Sequence, residues 1–152
     1  MKKIVICEDH QIVYDGLELL FTKNADYKIA GHAATGRELL PLLKKSKPHI
    51  LILDLNLPDM DGITLLNLIR KEDSRIKIII LTMYHDSYLI EKAKNAGANA
   101  YLLKNAGNKQ LMVALDRVFH TDFYVTESIQ LGLDRKKMFS DQFAQKMKLT
   151  NR

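Results

Sequence analysis

The sequence predicts an α/β protein with a doubly wound parallel sheet of five strands, flanked by five helices. Short, unbroken apolar runs such as residues 50–53 are typical of strands that are buried on both faces of a parallel sheet. These runs alternate with segments whose apolar residues recur at helical spacing. Such alternation indicates right-handed βαβ units. The chain has 152 residues, which suits one domain with a short appendage.

The first half of the chain contains three predicted strands and two predicted helices. The strands cover 3–7, 27–33 and 49–53, and the first helix covers 10–22. Strand 27–33 is the most polar and is therefore expected at the sheet edge. Thr35 and Glu38 have the spacing of a capping box, which opens the second helix. Pro41 lies inside that helix and predicts a short or kinked element.

The second half repeats the pattern. A third helix begins at Asp61-Gly62, and strand 76–81 ends in Thr82. A fourth helix covers 88–96, with Asp86 or Ser87 as its N-cap. The apolar face of the fourth helix is thin, mainly Leu89, Ala93 and Ala96, so this helix is expected to be loosely held. A fifth strand over 100–103 ends in Lys104, and a fifth helix follows over 111–118.

Beyond about residue 121 the helical periodicity fades. The segment 121–145 mixes charged and polar residues with scattered apolar ones. It is interpreted as a linker with one or two helical turns. The sequence contains no internal repeat and no low-complexity tract.

Composition limits the class of protein. The chain is 47% hydrophobic and 27% charged, as in ordinary globular proteins, and no apolar run approaches the length of a membrane span. Its net charge of +5 permits a nucleic-acid partner but does not require one, because a solvated basic surface has the same composition. Cys7 is the single cysteine and lies in an apolar run, which predicts a buried, unreactive thiol. The sequence predicts a cytoplasmic protein without a signal peptide.

Polar side chains follow four of the predicted strands. They are Glu8 and Asp9, Asp54, Thr82, and Lys104. The carboxyl ends of parallel strands share one edge of the sheet, where ligands bind in open α/β folds. Three carboxylates at one edge repel each other unless a cation is present, and oxygen ligands suit Mg²⁺.

This set of side chains can carry phosphoryl transfer to a carboxylate. Asp54 would be the nucleophile, and Lys104 with Mg²⁺ would stabilise the transferring group, to which Thr82 would donate a hydroxyl hydrogen bond. In the alternative interpretation each acid only ends a strand in water, but five polar groups at four strand ends favour the functional one. Gly-x-Gly-x-x-Gly and P-loop motifs are absent, which argues against a nucleotide cradle.

These motifs resemble the receiver domain of bacterial two-component response regulators, within the NarL/LuxR subfamily. The matching residues are Glu8-Asp9, Asp54 followed by Pro58 and Gly62, Thr82, and Tyr101-Leu102-Leu103-Lys104. The resemblance covers residues 1–120. It implies a flavodoxin-like fold with the strand order 2-1-3-4-5.

The resemblance also implies roles for these residues. A sensor histidine kinase would phosphorylate Asp54, with Mg²⁺ held by Asp9, Asp54 and the carbonyl of Asn56, and with Glu8 helping through water. Thr82 would move toward the phosphate and Tyr101 would turn inward. The alternative role for Tyr101 is a half-buried strand aromatic. The domain would be no turnover enzyme, only a phosphoacceptor with Mg²⁺-dependent self-phosphorylation and dephosphorylation, and it would form a homodimer on activation.

One departure and one further match concern the C-terminal part. Asn105 replaces the proline that follows the lysine in many receivers, which predicts no cis peptide there. Leu149-Thr150-Asn151-Arg152 resembles the opening of the subfamily's helix-turn-helix domain. Residues 146–152 are therefore interpreted as the start of a DNA-binding domain whose recognition helix is absent from this chain. A stand-alone receiver that acts through protein–protein interaction remains the alternative.

Two other functions were weighed. A phosphatase of the haloacid-dehalogenase class also forms an aspartyl phosphate, but its Asp-x-Asp motif has Asn56 at the second position here. An interaction module that is never phosphorylated would not need the complete acidic set. The five histidines (His10, His32, His49, His85 and His120) show no metal-ligand spacing and are expected at the surface or beside strands.

Overall fold

The structure is a computed structural model that describes the backbone of residues 1–150 and the side chains of residues 1–147. The strands are β1 (Lys2–Cys7), β2 (Tyr27–Ala33), β3 (Ile50–Leu53), β4 (Lys77–Thr82), β5 (Ala100–Leu103) and β6 (Tyr124–Val125). The helices are α1 (Gln11–Thr22), α2 (Gly36–Ser46), α3 (Gly62–Glu72), α4 (Ser87–Asn95), α5 (Asn108–Arg117) and α6 (Glu127–Thr150). Strands and helices alternate along the described chain, as the sequence predicts.

The strands form one parallel sheet in the order β2-β1-β3-β4-β5-β6. This order contains the implied 2-1-3-4-5 arrangement, so the flavodoxin-like fold is confirmed, and β2 lies at the predicted edge. The prediction of five strands and five helices was short by one of each. The sixth strand pairs Tyr124 with Ala100 and Val125 with Tyr101. Two residues are too few to produce a recognisable strand pattern.

Helices cover both faces of the sheet, and alternate strand residues point to opposite faces. On β3, Leu51 and Leu53 pack in the cluster beneath α2, α3 and α4, whereas Ile50 and Ile52 pack in the cluster beneath α1 and α5. All four are at most 1% exposed. Burial on both faces explains why the run is unbroken and why the carboxylate of Asp54 can occur only where the strand ends.

Three helices begin at the residues that the sequence predicts. Asp61 and Asp86 each accept a hydrogen bond from the first turn of α3 and α4. Thr35 Oγ1 accepts from the backbone N–H of Glu38 at 3.1 Å. The Glu38 carboxylate in turn accepts from the backbone N–H of Ala34 at 3.0 Å, one residue before the cap. These side chains supply partners for N–H groups that a helix start leaves unsatisfied.

Two helices differ in detail from the prediction. The second helix continues through Pro41 and ends at Ser46. In α4 the buried residues are Ile90 and Ala93, whereas Leu89 is only partly buried. With two buried residues, α4 remains a helix with little apolar surface to hold it in place.

The predicted linker 121–145 contains more structure than one or two helical turns. It includes β6 and most of α6, a helix of 24 residues. Ile129 is 8% exposed and Leu133 packs against the same core, but every side chain from 134 to 147 is exposed. The apolar periodicity is weak because, among the described side chains of α6, those that pack in the core lie in its first turns.

The division of the chain at residues 120 and 145 remains a prediction. The match at 146–152 involves side chains outside the described ones, and Asn151 and Arg152 lie outside the described residues altogether. Within residues 1–150 no helix is long and apolar enough to cross a membrane, and no peptide bond is cis, including the one before Asn105.

Gly62 provides a test of the loop that follows Asp54. A Cβ atom at Gly62 would lie 2.5 Å from Leu55 Cα and 2.6 Å from Leu55 O, which are backbone atoms. Gly62→Ala is therefore expected to lower the free energy of unfolding by about 1–3 kcal/mol, measured by urea denaturation. Gly16→Ala is the matched control, because Gly16 lies in α1 with no atom within 4 Å of its added Cβ, and it should gain about 0.5–1 kcal/mol. Equal effects of the two variants would contradict the prediction.

Candidate functional site

The carboxyl ends of β1 and β3 bring three carboxylates together. Glu8 and Asp9 follow β1, and Asp54 follows β3. One oxygen from each, together with a ring nitrogen of His10, lies within 4.8 Å of the others. Glu8 and Asp54 are each 2% exposed, whereas Asp9 is exposed to solvent. Two buried acids thus lie behind an accessible one.

Lys104 follows β5 and places its ammonium group between the two buried acids. Its Nζ lies 2.9 Å from Asp54 Oδ2 and 2.9 Å from Glu8 Oε2, and its side chain is 8% exposed. Burial lowers the pKa of Lys104, but hydrogen bonds to Asp54 and Glu8 outweigh burial, so the pKa lies above its ordinary value. Lys104 is therefore charged at neutral pH and compensates part of the buried negative charge.

Thr82 ends β4 beside this group and is fully buried. Its carbonyl accepts a hydrogen bond from the backbone N–H of Lys104 at 2.8 Å. Among the side chains that the structure describes, its Oγ1 is the buried polar atom without a hydrogen-bond partner. A buried hydroxyl without a partner costs about 1–3 kcal/mol. Thr82 Oγ1 is thus a buried hydroxyl at the carboxyl end of β4 whose hydrogen-bonding capacity is unused.

The unpaired hydroxyl predicts a stability gain when it is removed. Thr82→Val keeps the side-chain shape and is expected to raise the free energy of unfolding by about 1–2 kcal/mol in urea denaturation. The matched control is Thr126→Val, because Thr126 is also buried but its Oγ1 lies 3.3 Å from Ser128 Oγ. The control should lose stability. A loss in both variants would mean that Thr82 Oγ1 has a partner in solution.

The loop after Asp54 is held by hydrogen bonds at two points. The backbone N–H of Asn56 donates to Asp54 Oδ1 at 3.1 Å. The Asp59 carboxylate accepts from the backbone N–H groups of Gly36 and Arg37 at the start of α2, at 2.9 and 3.0 Å. These bonds, first that from Gly36, hold the pKa of Asp59 below its usual value. Asn56, whose carbonyl is an expected metal ligand, is thus held next to Asp54.

Tyr101 lies on β5 and is fully buried. Its hydroxyl donates to the carbonyl of Tyr84 at 2.6 Å. Tyr84 follows Thr82 by two residues, so the ring is connected to the loop after β4. The alternative of a half-buried strand aromatic does not describe this residue, because its ring already points inward.

His10 is exposed and lies just after β1, as predicted for the histidines, but its ring also contacts the acids of the site. Its Nδ1 lies 2.9 Å from Glu8 Oε1 and 3.4 Å from Asp9 Oδ1, while the side chain remains 57% exposed. The sequence signal for this contact is the position of His10 directly after Glu8-Asp9.

The donor set fits a divalent cation. Three carboxylates and one ammonium group leave an excess of negative charge at this edge of the sheet. Carboxylate oxygens suit hard ions such as Mg²⁺, and the imidazole of His10 adds a nitrogen that suits transition metals. The cluster formed by Glu8, Asp9, His10 and Asp54 could hold such an ion.

Comparisons with known proteins agree with this geometry. Residues 4–116 match the family model of the response regulator receiver domain. The transcriptional regulatory protein YhcZ of Bacillus subtilis is 38% identical over 110 residues, which are 72% of this chain and 51% of that protein. The oxygen regulatory protein NreC of Staphylococcus haemolyticus is 35% identical over 133 residues, 86% of this chain and 61% of that protein. The chain thus spans between about half and three-fifths of the length of these relatives.

Solved structures show the same fold. A LuxR-family two-component response regulator from Aurantimonas sp. SI85-9A1 superposes with a TM-score of 0.84 at 27% identity, covering 91% of this chain and 99% of that one. The isolated REC domain of RcsB from Salmonella enterica, determined with the phosphomimetic BeF3−, gives a TM-score of 0.79 at 26% identity, covering 85% and 96%. The sheet order, the acidic strand ends and these matches together show that the chain belongs to the response regulator receiver domain family, with relatives among the NarL/LuxR regulators.

Proposed function

We propose that this domain accepts a phosphoryl group on Asp54 from a sensor histidine kinase. One observation carries the proposal: the buried Asp54 carboxylate lies 2.9 Å from the Lys104 ammonium and has an oxygen within 4.8 Å of one from the accessible acid Asp9. A carboxylate between a fixed cation and a cation site is suited to attack a phosphorus atom, because the charge on the transferring group is balanced from both sides.

The proposed transfer forms one bond and breaks one. An oxygen of Asp54 bonds to the phosphorus of a phosphohistidine, and the bond from phosphorus to the imidazole nitrogen breaks. The electron pair stays with that nitrogen, which takes up a proton. The Lys104 ammonium, which is bonded to the free carboxylate, then donates to a phosphoryl oxygen instead. The unpaired hydroxyl of Thr82 donates to another phosphoryl oxygen.

Asp9, Asp54 and the carbonyl of Asn56 are proposed to hold Mg²⁺, with Glu8 acting through water. The bound ion supplies positive charge next to the phosphoryl oxygens. Glu8 is already engaged by Lys104 and by His10 Nδ1, which suits an indirect role. The domain is proposed to phosphorylate itself from small phosphodonors and to lose the phosphoryl group again. It is not proposed to convert any other substrate.

The output is proposed to be a change in self-association that reaches a DNA-binding domain outside this chain. RcsB, a structural relative, has been solved as dimers bound to DNA. A LuxR-family DNA-binding response regulator from Staphylococcus aureus also shares the fold. The proposal places the protein in the cytoplasm, where the buried Cys7 thiol stays reduced. A stand-alone receiver that acts by protein–protein contact is the alternative output.

Incubation with Mg²⁺ and acetyl phosphate tests the proposal, with intact mass as the measurement. The chain is expected to gain one phosphoryl group, and removal of Mg²⁺ with a chelator should prevent the gain. If no gain occurs although Mg²⁺ binding is detected by titration calorimetry, the phosphoacceptor role is wrong and an unphosphorylated interaction module becomes the better description.

A further inference from the structure

The outer part of α6 carries large apolar side chains that are exposed to solvent. Phe139 and Phe143 are 71% and 58% exposed, and they are the two exposed members of the five phenylalanines in the chain. Leu131, Met138 and Met147 are also about half exposed or more. Contiguous exposed apolar surface typically marks a contact with another molecule.

Four of these five side chains lie along one line on the helix surface. Leu131, Phe139, Phe143 and Met147 follow each other at intervals of four or eight residues, and Arg135 occupies the remaining position. Residues four apart are neighbours on a helix and lie about 6 Å apart along its axis. We call the line formed by Leu131, Arg135, Phe139, Phe143 and Met147 the ridge. It extends over about 24 Å.

The ridge begins on the side of α6 that faces away from the receiver core. Ile129 and Leu133 pack in the core cluster. Leu131 lies two residues from each of them, which places it about 160° around the helix axis from both. The ridge is therefore open to another molecule rather than to the core of its own domain.

The acidic residues of the outer helix lie on a different face from the ridge. Asp134 and Asp141 lie about 140° and 160° around the axis from Phe139. On that face Asp134 Oδ1 accepts a hydrogen bond from Gln130 at 3.0 Å. Arg135 is the one charged residue on the ridge itself. A partner that packs along the ridge must therefore accommodate apolar groups and one guanidinium.

We infer that the ridge is a self-association surface on which a second copy of this chain packs its own ridge in the antiparallel direction. Ridges of residues four apart pack into the grooves of another helix. When Phe139 lies at the two-fold axis, Leu131 lies beside the partner's Met147. Arg135 then lies beside the partner's Phe143. Apolar groups meet apolar groups, and the guanidinium meets an aromatic ring, which attracts cations.

Charge favours this orientation over a parallel one. In a parallel pair in the same register, Arg135 would face the partner's Arg135, and like charges in a contact disfavour association. In the antiparallel pair, the lysines that flank the ridge avoid each other. Lys136 lies beside the partner's Gln142, and Lys146 lies beside the partner's Gly132, both of which are neutral.

The inference supplies a surface for the self-association that is proposed as the output of this domain. It rests on that proposed function only for its biological role, because the contact involves no residue of the phosphoryl site. Failure of the pairing and failure of the phosphoacceptor role are therefore separate results.

Sedimentation equilibrium of the 152-residue chain, without a phosphodonor, is expected to show concentration-dependent dimers. Phe139→Glu places two like charges at the two-fold axis and should weaken the dimer by about 30-fold or more, as for a residue at the centre of an interface. Ala144→Glu is the matched control, because Ala144 is exposed on the same helix, about 140° around the axis from Phe139. The control should change the affinity by no more than about twofold, and circular dichroism should show equal helix content in both variants.

Disulfide formation measures the orientation of the pair. Leu131→Cys and Met147→Cys each place a thiol at one end of the ridge, and the native Cys7 is buried. In the antiparallel pair the two thiols of a single variant are about 24 Å apart, far beyond the limit of about 7 Å between the Cα atoms of a disulfide. An equal mixture of the two variants should form cross-linked dimers under mild oxidation, and each variant alone should not.

Three outcomes would overturn the inference. One is a chain that stays monomeric, whether its ridge then binds DNA, anionic lipid vesicles or nothing. Another is a dimer that Phe139→Glu leaves intact, since a different surface must then hold the two copies together. The third is cross-linking of either cysteine variant with itself, which excludes the antiparallel register. In each case a gain of one phosphoryl group at Asp54 would leave the phosphoacceptor role standing.

Discussion

Lys104→Met is expected to lower the free energy of unfolding by about 3 kcal/mol and to make stability depend on Mg²⁺. The ammonium group lies 2.9 Å from both Asp54 and Glu8, whose side chains are 1% and 3% exposed. Removing one partner of a buried ion pair typically costs about 3–5 kcal/mol, and the low end applies because the neighbouring Asp9 opens the site to water. Methionine keeps the length and apolar character of the stem, so the lost charge is the main change.

Without Lys104, the acidic cluster loses the ammonium group that lies next to Asp54 and Glu8. Mg²⁺ binds the folded state in preference to the unfolded chain, and the variant should therefore recover stability as Mg²⁺ is added, by a larger amount than the parent. Urea denaturation with and without Mg²⁺ measures both effects. Lys109→Met is the matched control, because Lys109 is exposed on α5 and should change stability by less than about 0.5 kcal/mol.

The pH dependence of this difference follows from the raised pKa of Lys104. A group whose pKa is higher in the folded state contributes its full stability below the unfolded pKa and loses it as pH rises through the folded pKa. The difference between the parent and Lys104→Met should thus stay constant between about pH 6 and about pH 9 and shrink only in more alkaline solution. A difference that disappears at neutral pH would show that Lys104 is not held as an ion pair.

The sheet and the acidic strand ends could be predicted because their signals are local. Burial on both faces of β3 requires an unbroken apolar run, and a charge can follow only where the strand reaches an edge. Helix starts at Thr35, Asp61 and Asp86 depend on side chains within a few residues of the N–H groups they satisfy. In each of these cases the determining contact is contained in a short window of sequence.

The pairing of side chains across the site could not be predicted in the same way. Lys104 and Glu8 are separated by 96 residues, and the sequence indicates only that each ends a strand. The spacing of the five histidines does not reveal the contacts of His10, because its partners are the acids immediately before it. The unpaired state of Thr82 Oγ1 depends on all the groups around it and has no signature in the sequence.

The C-terminal strand β6 and helix α6 could not be predicted from the sequence for a different reason. Among the described side chains of α6, Ile129 and Leu133 pack in the core cluster and those from 134 to 147 are exposed, so this part of the helix lacks the continuous apolar face by which helices are recognised. β6 forms because an edge of β5 is available for pairing, and the two residues that use it carry no pattern of their own. Both elements depend on the surface that the first 120 residues create.

Asp54→Asn is expected to abolish the gain of a phosphoryl group from acetyl phosphate and Mg²⁺. An amide has no carboxylate oxygen to bond to phosphorus, and the other acids of the site are placed differently. Glu8 is buried against Lys104 and His10, and Asp9 is exposed. Intact mass of the parent and the variant, treated side by side, measures the effect. The variant should also show no change in association when the same samples are analysed by light scattering.

Asp59→Asn is the control for Asp54→Asn, because Asp59 lies in the same loop with its carboxylate exposed and bonded to the start of α2. It should keep the full mass gain, provided that circular dichroism shows an intact fold. A mass gain that persists in Asp54→Asn and disappears in Asp59→Asn would move the acceptor to the exposed loop. Persistence in both would assign it to another acid, with Asp9 the first to examine, since Asp9 belongs to the same cluster and is open to solvent. In either case the buried pair of Asp54 and Lys104 would have a structural role.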